Sequence, residues 1–196
     1  MKVKLTNLKM KALALFVIGT LLIVSSVLVY THPWQGKDSV VWNVTLDGAD
    51  GQQKVLTYNE IKTMPAYSGK GGFFTTTGVV NGPFQVKGVP LIDLCNLVGG
   101  VTSSEAVMVS AKDGYSSIFD YDQLMGGLIT YDPKTIKEVP HSELKIVLMY
   151  EQDGKPLSQD DGKPLRLAII GTDGLLEEGN MWTKWITKIE VVKVNQ

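Results

Sequence analysis

One cysteine, one arginine and two histidines in 196 residues leave little room for several common chemistries. Cys95 alone cannot close an internal disulfide, so the fold must rest on its apolar core. His32 and His141 are accompanied by no HxxxH, CxxC or carboxylate constellation, which argues against zinc. No G-x-S-x-G elbow or G-x-G-x-x-G fingerprint occurs. Basic charge is also scarce. All four charges in the first thirty residues are lysines (Lys2, Lys4, Lys9, Lys11), so residues 31–196 hold 15 basic against 20 acidic groups, a net charge of −5. A negative domain without a basic patch does not suit nucleic-acid partners.

What the chain does have is an apolar N-terminal run. Residues 12–30 carry no charge over nineteen positions and, as a helix, would reach about the 30 Å of a bilayer's hydrocarbon layer. With 1–11 as a basic cytoplasmic segment, the positive-inside tendency places the remainder outside a cell membrane, as a single-pass protein. A cleaved signal peptide is the competing reading, with an apolar stretch ending near Ile23 and Val24-Ser-Ser26 as a weak cleavage site. The run's continuation to Tyr30 and the lack of Ala-x-Ala favour an uncleaved anchor. Residues 31–39, with His32-Pro33-Trp34 and Gly36, read as a linker, and 40–196 as one globular domain.

Inside that domain, period-two patterns and turn residues predict strands at Val40–Leu46, Lys54–Thr57, Phe73–Val80, Ala106–Ala111, Tyr115–Asp120, Lys145–Glu151, Arg166–Ile170 and Trp185–Val194. The last alternates imperfectly and leaves its buried face undecided. Tyr58–Met64 reads as a short helix stopped by Pro65, and Tyr121–Met125 as one helical turn. Leu91, Leu94, Cys95 and Val98 share a helical face, which makes Cys95 core filler rather than a reactive thiol.

Tyr67–Gly72 reads as a glycine-rich loop; it lacks P-loop spacing. The repeated Asp-Gly-Lys-Pro at 153 and 161 lacks the calcium-loop order and reads as two polar turns. Glu177-Glu178 reads as a solvated loop tip, and Trp182 with Trp185 as core or rim aromatics. Asn43-Val44-Thr45 fits a glycosylation sequon, but inside a predicted strand.

Several stretches carry a resemblance. Gly88-Val-Pro-Leu-Ile-Asp-Leu-Cys95, the Asp153-Gly-Lys-Pro-Leu157 turn, Gly162-Lys-Pro-Leu-Arg166 and Lys184-Trp-Ile-Thr-Lys-Ile189 follow in an order that resembles the molybdopterin-dependent oxidoreductase domain. That is the catalytic domain of sulfite oxidases and of the periplasmic methionine sulfoxide reductase. Trp42–Gly48 and Leu56–Lys62 look like its opening hairpin and helix. The resemblance covers about 150 residues and implies an α+β fold, a β-rich mixed sheet of the sulfite oxidase type behind the N-terminal transmembrane helix.

The same resemblance implies site residues. The family holds molybdenum through a cysteine twelve residues before the GxPL glycine, and here Thr76 stands at that count, followed by Thr77-Gly78. A hydroxyl is a poor ligand for molybdenum beside a thiolate. Ser110, Asp161, Arg166 and Lys184 match positions that the family places near the cofactor. The resemblance implies molybdopterin; the missing thiolate implies that no cofactor is bound. The expected function is therefore a membrane-tethered, degenerate family member acting as a binding module for an envelope protein partner. An active molybdopterin oxidoreductase with an altered ligand set is the alternative. A distinct small-ligand pocket around Thr76, Tyr115 and Arg166 is a further reading.

Overall fold

The computed structural model describes residues 41–194, so the predicted anchor, the basic segment before it and the linker lie outside the described residues. A first sheet of five strands contains β1 (Asn43–Asp47), β2 (Gln53–Thr57), β5 (Glu105–Ala111), β6 (Ser116–Asp120) and β13 (Ile186–Lys193), ordered β2-β1-β13-β5-β6. A second of eight holds β3 (Tyr67–Phe74), β4 (Val80–Pro90), β7 (Thr130–Tyr131), β8 (Glu138–Val139), β9 (Lys145–Gln152), β10 (Lys155–Pro156), β11 (Arg166–Ile170) and β12 (Leu176–Glu178). The pairs β1–β13 and β3–β12 are parallel and the rest antiparallel, a mixed arrangement as expected.

Among the described residues three short α-helices punctuate the sheets: α1 (Tyr58–Thr63), α2 (Leu91–Asn96) and α3 (Tyr121–Leu124). Reciprocal capping boxes start two of them. Thr57 and Glu60 satisfy each other's backbone N–H ahead of α1, as Asp120 and Gln123 do ahead of α3. On α2, Leu91, Leu94 and Cys95 are fully buried, with Val98 just beyond, so the helical face read from the sequence packs into the main core.

The second sheet folds back on itself. From β3 the pairing runs through β4 and β9 to β11, whose end returns to β3 where Lys70 and Gly171 exchange N–H···O bonds of 2.8 and 3.0 Å. Strand β11 is thereby buried on both faces: Leu167 and Ile169 join the main core, whereas Ala168 and Ile170 join a second cluster with Val86, Val147, Met149 and Trp182.

That closure corrects the loop expected at Tyr67–Gly72, which is most of β3. Glycines are needed there because a Cβ on Gly71 would lie 2.1 Å from the Ile169 carbonyl oxygen, and one on Gly72 would lie 2.5 Å from that of Asn81. Composition mimics a loop where close backbone approach is the cause. Gly71→Ala is expected to cost about 3 kcal/mol or more, because only backbone displacement relieves the clash. Gly51→Ala should cost only about 1 kcal/mol, from strain at a positive φ with no neighbour within 4 Å among the described residues. Chemical denaturation of both variants checks the contrast.

Two further expectations change. The strand read over Phe73–Val80 is broken by a turn at 75–79, closed by Thr75 N–H to Val79 O at 2.9 Å and Gly78 N–H to Thr75 O at 2.8 Å. Glu177-Glu178 is not a loop tip but part of β12, with Glu177 only 1% exposed. The undecided face of β13 is settled by a register shift between Ile186 and Lys188, which lets Ile186 and Ile189 both face inward.

Candidate functional site

At one end of the closed strands, Phe73, Trp182 and Arg166 border a cavity of about 710 Å³. Arg166 opens β11, and its backbone bridges to Lys184 while Leu167 N–H donates to Thr183 O at 2.8 Å. Its side chain is only 3% exposed. Nε donates to Trp182 O at 3.0 Å, and the guanidinium lies over the rings of Phe73 (4.6 Å) and Trp182 (5.4 Å). Burial pulls its pKa down to about 10, with the charge of Asp161 opposing. No carboxylate pairs with it among the described residues. A buried cation held by rings and a carbonyl keeps donors available for an anion.

Thr76 reaches the same cavity from the β3–β4 turn, not from a strand. It is exposed, and among the described residues its hydroxyl has no hydrogen-bond partner, whereas the flanking Thr75 and Thr77 hydroxyls bond each other at 2.9 Å. Lys184 also lines the cavity, its Nζ donating to the Asp160 carbonyl. Ser110 and Asp161 do not line it. The Ser110 hydroxyl lies 3.2 Å from that of Ser116, and the Asp161 carboxylate accepts from the Ser158 hydroxyl at 2.5 Å.

Sequence reasoning missed Phe73 and Asn180 and treated Trp182 as generic. The Asn180 carbonyl accepts from Tyr115 Oη at 3.1 Å and Ser117 Oγ at 3.2 Å, and Ser117 Oγ lies 2.5 Å from Thr183 Oγ1. These bonds tie the 3-10 turn Gly179–Met181 to β6 and fix one wall. Long-range register brings them together, and no local motif announces it.

A model of the oxidoreductase molybdopterin-binding domain matches residues 31–196. The chain belongs to that family. It is 22% identical over 161 residues to the uncharacterised oxidoreductase YuiH of Bacillus subtilis (strain 168), covering 81% of this chain and 69% of that protein. The crystal structure of the sulfane dehydrogenase SoxCD from Paracoccus pantotrophus is similar with a TM-score of 0.59 and 16% identity over 77% of this chain. The match spans only 38% of that solved chain, so it bears on fold alone.

The donors present do not fit a thiolate-held molybdenum. The single thiol, Cys95, is fully buried in the main core, and burial pushes it up to about 12, so it is neither at the cavity nor ionised near neutral pH. Around the cavity stand hydroxyls, carbonyls, two cations and the carboxylates of Asp113 and Glu178. No cluster of three or more metal-ligating side chains occurs among the described residues.

Proposed function

We propose that this chain is a membrane-tethered, extracytoplasmic family member that has given up molybdenum redox chemistry and works as a binding module. Its Arg166 cavity receives an organic anion, and its surface meets an envelope protein partner. One observation carries the reading: no thiol reaches the cavity, to which Thr76, the residue at the family's cysteine count, brings a hydroxyl, while the only thiol is sequestered in the core. The charge-free run at 12–30 behind four lysines supports the tether.

Molybdenum and pterin analysis of the full-length chain from its native host tests this. Metal far below stoichiometric amounts is expected, with no sulfite or sulfoxide turnover. Stoichiometric molybdenum, or turnover lost on Thr76→Ala, would restore the oxidoreductase with an altered ligand set. Metal gained by Thr76→Cys would show that Thr76 occupies a ligand position in an otherwise intact pocket. Membrane fractionation should find the uncleaved chain with the bilayer, its domain open to external protease.

A further inference from the structure

A second cavity of about 710 Å³ adjoins the first, and Asp113 and Trp185 belong to the walls of both. Trp185 has φ of 55°, a left-handed conformation that a bulky residue keeps only where its surroundings impose it. Here its carbonyl accepts from Lys112 N–H at 2.9 Å, and the Arg166–Lys184 bridge fixes the residue before it. The strained backbone sets the indole between the two spaces.

Cations stand on both sides. Arg166 and Lys184 border the first cavity, Lys112 and Lys163 the second. None of the four is in an ion pair among the described residues, whereas Lys145, Lys188 and Lys193 are. Three lie over rings instead: Arg166 over Phe73 and Trp182, Lys112 over Trp42 at 5.6 Å, and Lys184 over Trp185 at 5.9 Å. Asp113, Asp160 and Glu178 also border the two spaces, so four cations face three carboxylates in a domain that is otherwise net acidic. Rings select flat groups and cations select anions. Each space is of the size that takes one drug-sized ligand, so a small anion would fill a fraction of one, and a single flat anion one of the two.

We propose that the two cavities together take one elongated organic polyanion of the dinucleotide class, two flat heterocycles joined through phosphates, with Trp185 stacked between the subsites and Lys112 and Lys163 holding the distal half. The assignment rests on the reading of the first cavity as a metal-free anion site.

Fluorescence titration of the full-length chain with FAD, FMN and uncharged riboflavin tests it, since stacking on tryptophan quenches flavin emission. FAD should bind about tenfold or more tighter than FMN, and riboflavin weakest, because each phosphate adds charge-assisted contacts. Combined Lys112→Met and Lys163→Met should bring FAD down to the FMN level and leave FMN unchanged. Lys112→Met alone carries the same readout should the Lys163 turn be disturbed. Equal binding of FAD and FMN, no flavin binding at all, or equal losses for both flavins in the lysine variants would overturn the proposal. Molybdenum found in native material with the FAD preference intact would sink the metal-free reading and leave the second subsite standing.

Discussion

Glu177→Gln is expected to flatten the pH dependence of this domain's stability between about pH 4.5 and 8. Glu177 is 1% exposed and its Oε2 has no hydrogen-bond partner among the described residues. Burial pushes its carboxyl up to about 8. The folded state therefore keeps a proton that the unfolded chain releases from about pH 4.5 upward. Stability is undiminished below that point, falls as pH rises through the window, and levels off above about 8. The slope cannot exceed about 1.4 kcal/mol per pH unit, and about 2–4 kcal/mol across the window is the expected order.

The charged neighbours sharpen the sign. Tyr131 on β7 is itself held up by burial and by the charges of Glu178, Glu138 and Glu177, so ionising Glu177 adds a negative charge to an already acidic corner. Asp47, Asp132, Asp173 and Glu60 are held low by hydrogen bonds. Their stabilisation is lost only as pH falls through their depressed values, so they do not mask a loss between 5 and 8. Glutamine keeps the shape and removes the charge. Denaturation at pH 5 and pH 8.5 should show the variant gaining most at the alkaline end; parallel pH profiles for the two proteins would refute the assignment.

Much of the first sheet was legible because its strands alternate. Val44, Leu46, Val107 and Val109 are buried with exposed or half-buried residues between them, and one face is enough to read a strand. The second sheet was legible mainly at its continuous apolar runs, 146–150 in β9 and 167–170 in β11. Strand β3 is glycine-rich for tight packing, and β4 carries Gly82-Pro83 and Gly88, residues that punctuate turns in ordinary sequences. Register, not local pattern, places Glu177 opposite Phe73 and buries it.

The site divides along the same line. Arg166, Thr76 and Lys184, singled out through the family's ordered motifs, meet at one cavity, and each lies at or beside a strand end: Thr76 just past β3, Arg166 at the start of β11 and Lys184 just before β13. Ser110 and Asp161 came from the same comparison and do not line it, since each hydroxyl or carboxylate is engaged by a neighbouring serine. The two rings that hold Arg166 lie far from it in sequence or turn back onto it through the 3-10 turn, and nothing local marks them.

Those rings set the other large effect. Trp182→Ala is expected to cost about 3–5 kcal/mol, because the indole is among the largest fully buried side chains and stands in the second cluster against Phe73, centroids 5.2 Å apart. For a domain of this size that lowers Tm by roughly 10 °C. Trp182→Phe should cost far less, about 1–2 kcal/mol, for an unusual reason: Trp182 Nε1 is buried without a hydrogen-bond partner among the described residues, so phenylalanine discards a donor that none of them accepts. The pair also separates stability from binding. Arg166 keeps its Nε bond to the residue-182 carbonyl in either variant, since that acceptor is backbone. Alanine removes one of the two rings over the guanidinium, whereas phenylalanine retains an aromatic face there. Anion affinity should therefore fall with Trp182→Ala and survive Trp182→Phe, measured by titration below the unfolding transition. A phenylalanine variant as unstable as the alanine one would mean that the indole N–H has a partner whose loss costs as much as the lost packing.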